Sequence, residues 1–250
     1  MRKNTAKQRM LEGKPSLGGD VLLGSYLAAE MLSRAGFDYV LVDNQHGVWD
    51  AESSALAFRS ICLGSATPMA RVRLNDLAAI EGLLDRGALG IVVPMINTAE
   101  EAKAAAAAAR YPPRGTRSWG PVGAMFHGDD YGTRINDEVL LAVQIESAEG
   151  VKNAEEILSV DGVDGCWIGP NDLARSMGVD KSTPEGAEAC DAAILSVLEV
   201  CRKTNKIPGI ASIDDSQRWI DKGFVFVTVG YDGWFIENGA RDMLKQYGRL

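Results

Sequence analysis

The 250-residue chain is short of several things, and each shortage narrows its function. Positive charge is in deficit: Lys and Arg total 26 against 34 Asp and Glu, for a net charge of −8. A nucleic-acid or anionic-membrane partner, each of which wants a basic face, is therefore not expected. No apolar run approaches the ~20 residues of a membrane span. The first stretch, "MRKNTAKQRMLEGKPSLGG", has basic residues but no apolar core, so no secretion signal is expected. Cysteine occurs four times (Cys62, Cys166, Cys190, Cys201) with no CxxC pair and no metal-like spacing. The simple reading is reduced, mostly buried thiols in a cytoplasmic protein. Histidine occurs only twice, as His46 and His127.

What is present is one repeated rhythm. Eight short apolar runs alternate with longer helical stretches: 16–24, 39–43, 67–72, 89–95, 140–146, 163–169, 207–212 and 224–230. Between them lie segments such as "AESSALAFRSICLG", "DLAAIEGLLDRG" and "TAEEAKAAAAAARY", several ending in Gly or late basic residues as helix C-termini prefer. Alternation implies parallel pairing, and continuous apolar strands imply burial on both faces. Eight such units predict a single (β/α)8 TIM barrel over residues 1–250. An open doubly wound sheet is the other option, but the first run is followed by "GSYLAAE" rather than G-x-G-x-x-G. A Gly- and Pro-rich segment, 111–136, reads as a lid or binding loop, with His127 at its surface.

In such a barrel, chemistry sits at the C-terminal ends of the strands. The second run ends in Asp43 with His46 just beyond it. The third gives Arg71, the fifth Gln144 and Glu146, the sixth Asn171 and Asp172, and the seventh Ser212. Glu146 and Asp172 are converging acids with no lysine near them in sequence, and they repel unless a cation binds between them. Hard oxygen donors suit Mg2+, Mn2+ or Co2+. Arg71 is placed to stabilise negative charge on a substrate oxygen. Asp43 and His46 read as orienter and base. No lysine ends a strand, so metal activation of a carbonyl is favoured over imine chemistry. The loops after the last two strands lack a Gly-rich phosphate cradle, so a carboxylate substrate is expected rather than a sugar phosphate.

The stretches "VLVDNQHG", "ARVRLND", "RYPPRGTRSWGP", "VQIESAEG" and "VDGCWIGPNDLARSMG" resemble the HpcH/HpaI family of metal-dependent pyruvate aldolases, in family order from about residue 15 to 245. The resemblance implies metal ligands Glu146 and Asp172, Arg71 at an enolate oxygen, and His46 with Asp43 as the base system. It puts Gln144 in the site and the amides near Asn171 and Asp172 at the carboxylate of pyruvate. It makes Asp85 a residue reaching the site of a neighbouring subunit. It also implies a hexamer, a trimer of dimers whose last helices are exchanged. The expected reaction is reversible cleavage of a 4-hydroxy-2-oxoacid to pyruvate and an aldehyde, with the aldehyde entering beside the long loop.

Two positions depart from the family pattern. Gln45 stands where a Glu often precedes the histidine, and Asp20 where some members place a tryptophan. An acid at position 20 points to polar hydroxyaldehydes. A citrate-lyase-like or malyl-CoA-type lyase, or a catalytically silent carboxylate-binding barrel, are the alternative readings.

Overall fold

The computed structural model describes residues 1–249. Eight strands follow in order: β1 (Ser16–Val21), β2 (Tyr39–Asp43), β3 (Thr67–Arg71), β4 (Gly90–Val93), β5 (Leu140–Ile145), β6 (Gly165–Ile168), β7 (Gly209–Ala211) and β8 (Phe226–Tyr231). Each pairs in parallel with the next, and β8 returns to β1, closing a barrel. The expected (β/α)8 fold is what the chain adopts, and the eight apolar runs are its eight strands. The helices are α1 (Thr5–Leu11), α2 (Tyr26–Ala35), α3 (Ala51–Ile61), α4 (Leu77–Arg86), α5 (Ala99–Ala108), α6 (Tyr131–Glu138), α7 (Ala148–Lys152), α8 (Ala154–Leu158), α9 (Pro170–Met177), α10 (Pro184–Thr204), α11 (Ser216–Lys222) and α12 (Asp232–Gln246).

Local chemistry sets these boundaries. Asp50 and Ser53 form a reciprocal capping box at the start of α3, as do Thr98 and Glu101 at α5. Two cores result from burial on both strand faces. Outward-facing residues such as Val40, Val42, Ile91, Val143 and Ile168 pack beneath the helices. Inward-facing Tyr39, Leu41, Met69, Val92, Leu140 and Phe226 fill the barrel, and Ala6 and Met10 of α1 plug its N-terminal mouth. Burying each such side chain stabilises the fold by about 1.5–3 kcal/mol before chain entropy is counted. The open mouth is therefore the C-terminal one.

The long segment 111–136 differs from its expected role. It joins the end of α5 to the start of β5, so within its own chain it serves the plugged end of the barrel. Its Ser118 amide donates to Glu81, and Arg117 pairs with Asp85 at 2.6 Å, both partners on α4. His127 is not a surface residue. It is buried, and its Nε2 donates to the Gly87 carbonyl at 2.8 Å. Burial pushes its pKa down to about 4, so it is a neutral structural histidine. A Gly- and Pro-rich stretch packs this way because its backbone groups find partners on α4 and at the N-terminus instead of in water; Arg2, for example, donates its amide to the His127 carbonyl.

Candidate active site

The strand ends named from the sequence converge at the open mouth. A cavity of about 220 Å3 there is lined by Asp43, His46, Arg71, Gln144, Asn171 and Asp172, with Asp20, Trp167 and Tyr231 completing the wall. Six of the nine residues singled out from sequence thus share one cavity. Glu146 stands at its edge, against Gln144 and Gly169. Ser212 lines an adjoining cavity instead, its hydroxyl bonded to Asp215. Asp85 lies on the last turn of α4, away from this chain's own mouth.

Asp43 and Arg71 face each other in register across β2 and β3. Arg71 donates to both Asp43 oxygens, from Nε at 2.9 Å and from Nη2 at 2.5 Å. Such a planar two-point contact fixes the guanidinium in place. Trp167 lies 5.4 Å from the same guanidinium and packs its ring against it. Asp43 also accepts from the amides of Gln45 and His46, at 3.0 and 3.3 Å. The reading of Asp43 as orienter of the imidazole is corrected here. Its oxygens are taken by Arg71 and the loop backbone, so it positions the arginine and the turn that carries His46. The His46 ring itself is exposed and has no hydrogen-bond partner among the described residues.

Glu146 is almost wholly buried. Its Oε1 accepts from the Met95 amide at 2.9 Å and its Oε2 from Gln144 Nε2 at 2.5 Å. Met95 takes a left-handed conformation (φ 55°), a strained state for a side chain of this size, and it brings that amide to the carboxylate. Burial is the main cause that raises the Glu146 pKa to about 7, and the nearby charge of Asp172 adds to it. Asp172 is half-exposed in the first turn of α9, which opens with Gly169 and Pro170. Gly169 leaves room for this carboxylate: a Cβ there would lie 2.6 Å from Glu146 Oε2.

Among the described residues, no group of three or more His, Cys, Asp or Glu forms a metal cage. The donor set is instead two carboxylates. One has its position fixed by an amide and a glutamine, beside a glycine that keeps the space clear, and the Oε1 of that Gln144 is buried without a partner. This set fits a hard divalent cation that keeps waters or substrate oxygens in its remaining positions.

Sequence reading missed Trp167 and Tyr231. Trp167 lies two residues before "GPND" in an inward-facing register, which was the available signal. Tyr231 ends β8, a strand end from which no residue is singled out in the sequence. Asp20 was noted as a departure but not as buried. It is 7% exposed, accepts from Thr228 Oγ1 at 3.3 Å, and burial raises its pKa to about 8.

A family model described as HpcH/HpaI aldolase/citrate lyase matches residues 22–238. A 4-hydroxy-2-oxo-heptane-1,7-dioate aldolase of Salmonella dublin is 35% identical, over 98% of this chain and 95% of that protein. The crystal structure of an HpcH/HpaI aldolase/citrate lyase family protein from Burkholderia cenocepacia J2315 superposes with a TM-score of 0.90 at 30% identity, covering 98% of this chain and 99% of that one. A citrate lyase beta subunit from M. tuberculosis, complexed with oxaloacetate and magnesium, shares the fold at a TM-score of 0.58 and 15% identity, over 87% and 92% of the two chains. The matched segment spans every strand but the first, and it carries each of the polar strand ends that meet at the open mouth except Asp20: this chain belongs to the HpcH/HpaI aldolase/citrate lyase family.

Proposed function

We propose that this lyase reversibly cleaves 4-hydroxy-2-oxoacids to pyruvate and an aldehyde, through a pyruvate enolate. The observation that carries the reading is the juxtaposition, in one cavity, of a fixed cation (Arg71), an unpartnered imidazole (His46) and the Asp172 carboxylate, with Glu146 at the cavity's edge completing a pair suited to a divalent metal. The 35% identical relative, whose name is that of such an aldolase, supports it.

Glu146 and Asp172 would hold the cation, with Gln144 and the Met95 amide fixing Glu146. Bound there, the cation acts as a Lewis acid toward the oxygens of the oxoacid. This chain's own residues do the rest. Arg71, braced by Asp43, offers its remaining donors to the oxygen that becomes the enolate. Amides at the start of α9, near Asn171 and Asp172, bind the carboxylate. His46, directly or through a water, takes the proton of the 4-hydroxyl. The C3–C4 electron pair then moves into the enolate, the aldehyde leaves, and a proton returned to C3 gives pyruvate. Gln45 can hydrogen-bond a water in this relay but cannot take its proton.

Mg2+, Mn2+ and Co2+ are the proposed metals. A homohexamer is the proposed assembly. It is supported by α12, whose Ile236, Met243 and Leu244 stay exposed on one chain, and Asp85 would serve a neighbour's site within it. The cytoplasm is the proposed location, supported by four free cysteines. The test is oxaloacetate decarboxylation with and without metal. Chelator should abolish it and Mg2+ or Mn2+ restore it, whereas borohydride trapping of a pyruvate–lysine adduct refutes the mechanism.

A further inference from the structure

The catalytic cavity does not end at the strand tips. A second, larger cavity of about 420 Å3 opens beside it, bounded by β7, β8 and the faces of α9, α10 and α11. The two share Asp20, Pro170, Asn171, Ala211 and Tyr231 as a common wall. The smaller space suits pyruvate and the reacting carbon of an acceptor. A longer acceptor must extend past this wall, and the combined space is in the ordinary range for a small-molecule site.

We infer that the larger cavity receives the tail of the acceptor, and that this acceptor is a neutral, polyhydroxylated aldehyde rather than a semialdehyde ending in a carboxylate. The inference rests on the aldolase reading above and names its substrate class.

Charge is the first reason. Four acids line the larger cavity, Asp20, Asp191, Asp214 and Asp215, against two bases, Lys181 and Arg218. Arg218 is committed to Asp191 and Asp215, with which it forms ion pairs. Lys181 is exposed at the rim and donates to Asn171 Oδ1 at 2.9 Å. Acids exceed bases whether or not Asp20 carries a proton, so an entering carboxylate meets net repulsion.

Hydrogen bonding is the second. Asp20 lines both cavities; its Oδ1 accepts from Thr228, while its Oδ2 has no hydrogen-bond partner among the described residues. The Ser212 hydroxyl donates to Asp215 and the Thr228 hydroxyl to Asp20, so both keep acceptor sites, and the Asn171 amide, whose Oδ1 accepts from Lys181, keeps its Nδ2 donors. Sugar hydroxyls, each one donor and two acceptor sites, match that mixture, and an alkyl chain leaves it unmatched. Ile194 and Trp219 provide an apolar wall for the carbon backbone of such a tail. The contrast is with the Salmonella relative, whose name specifies a dioate and hence a distal carboxylate.

The test uses the full-length protein with Mn2+, pyruvate and three acceptors of four carbons: erythrose, succinic semialdehyde and butanal. Exchange of pyruvate methyl protons with deuterated water is followed in parallel, because it needs the enolate but no acceptor. Erythrose should be preferred in kcat/KM by at least about tenfold, the most that one ordinary hydrogen bond supplies. Asp20→Asn, which keeps a hydrogen-bonding group, should preserve the order, and Asp20→Leu should level it. Exchange together with an equal response to the three acceptors overturns this inference and leaves the aldolase reading standing. So does a preference for succinic semialdehyde that disappears in Lys181→Met. Absence of exchange overturns the aldolase reading, and this inference with it.

Discussion

Gly169→Ala tests the proposed metal site apart from the rest of the fold. The backbone at position 169 (φ −99°, ψ 92°) accommodates alanine without strain. The whole effect therefore comes from the added Cβ, which would lie 2.6 Å from Glu146 Oε2 and 3.0 Å from Gln144 Nε2. Ordinary contact begins near 3.4 Å, so the carboxylate must retreat by roughly 0.8 Å. Metal–ligand distances tolerate only about 0.2 Å. The retreat also strains the Met95 and Gln144 hydrogen bonds that fix Glu146, and losses of this kind typically cost about 10–100-fold in metal affinity. Mn2+ titration followed by electron paramagnetic resonance should show a loss in that range, with a thermal unfolding midpoint close to the parent's. Gly239→Ala in α12 meets nothing within 4 Å and should leave Mn2+ binding untouched. Parent-like Mn2+ affinity in Gly169→Ala would refute the assignment of Glu146 as a ligand.

Three further outcomes follow from the same geometry. Asp43→Ala leaves Arg71 buried and unpaired, and should cost on the order of 3–5 kcal/mol in urea unfolding together with most of the activity. With Glu146 as the proposed ligand, whose pKa is raised to about 7, proton and metal would compete for it, and Mn2+ affinity measured by calorimetry should fall about tenfold per pH unit below that value. His127 has its pKa lowered from 6.5 to about 4, so the unfolded chain takes up the proton first. Its contribution is complete above pH 6.5 and is lost as pH falls toward 4, by up to about 3 kcal/mol, and His127→Gln should flatten that part of the stability–pH curve.

The barrel was legible because its strands are continuous apolar runs buried on both faces, and because the polar residues that end them fall at the one position where a parallel barrel leaves them open. The pairings among those residues were less so. Asp43 and Arg71 end adjacent strands, and their contact is a matter of register, which spacing along the chain does not express. His127 misled because a Gly- and Pro-rich loop looks alike at either end of a barrel. Only the order α5, loop, β5 places it at the plugged end. The side cavity had no signature at all, since it forms where α10 and α11 pack beside β7 and β8, from residues far apart in sequence.

The central claim is that this cavity makes an enolate from pyruvate before any aldehyde arrives, and proton exchange measures that most directly. With Mn2+ or Mg2+ in deuterated water, nuclear magnetic resonance should show the pyruvate methyl protons washing out without acceptor, and chelator should stop it. His46→Ala should slow the exchange by ~10²–10⁴-fold while Mn2+ binding survives. Exchange that is absent with metal present, or unaltered in His46→Ala, would contradict the enolate mechanism or the role of His46, respectively.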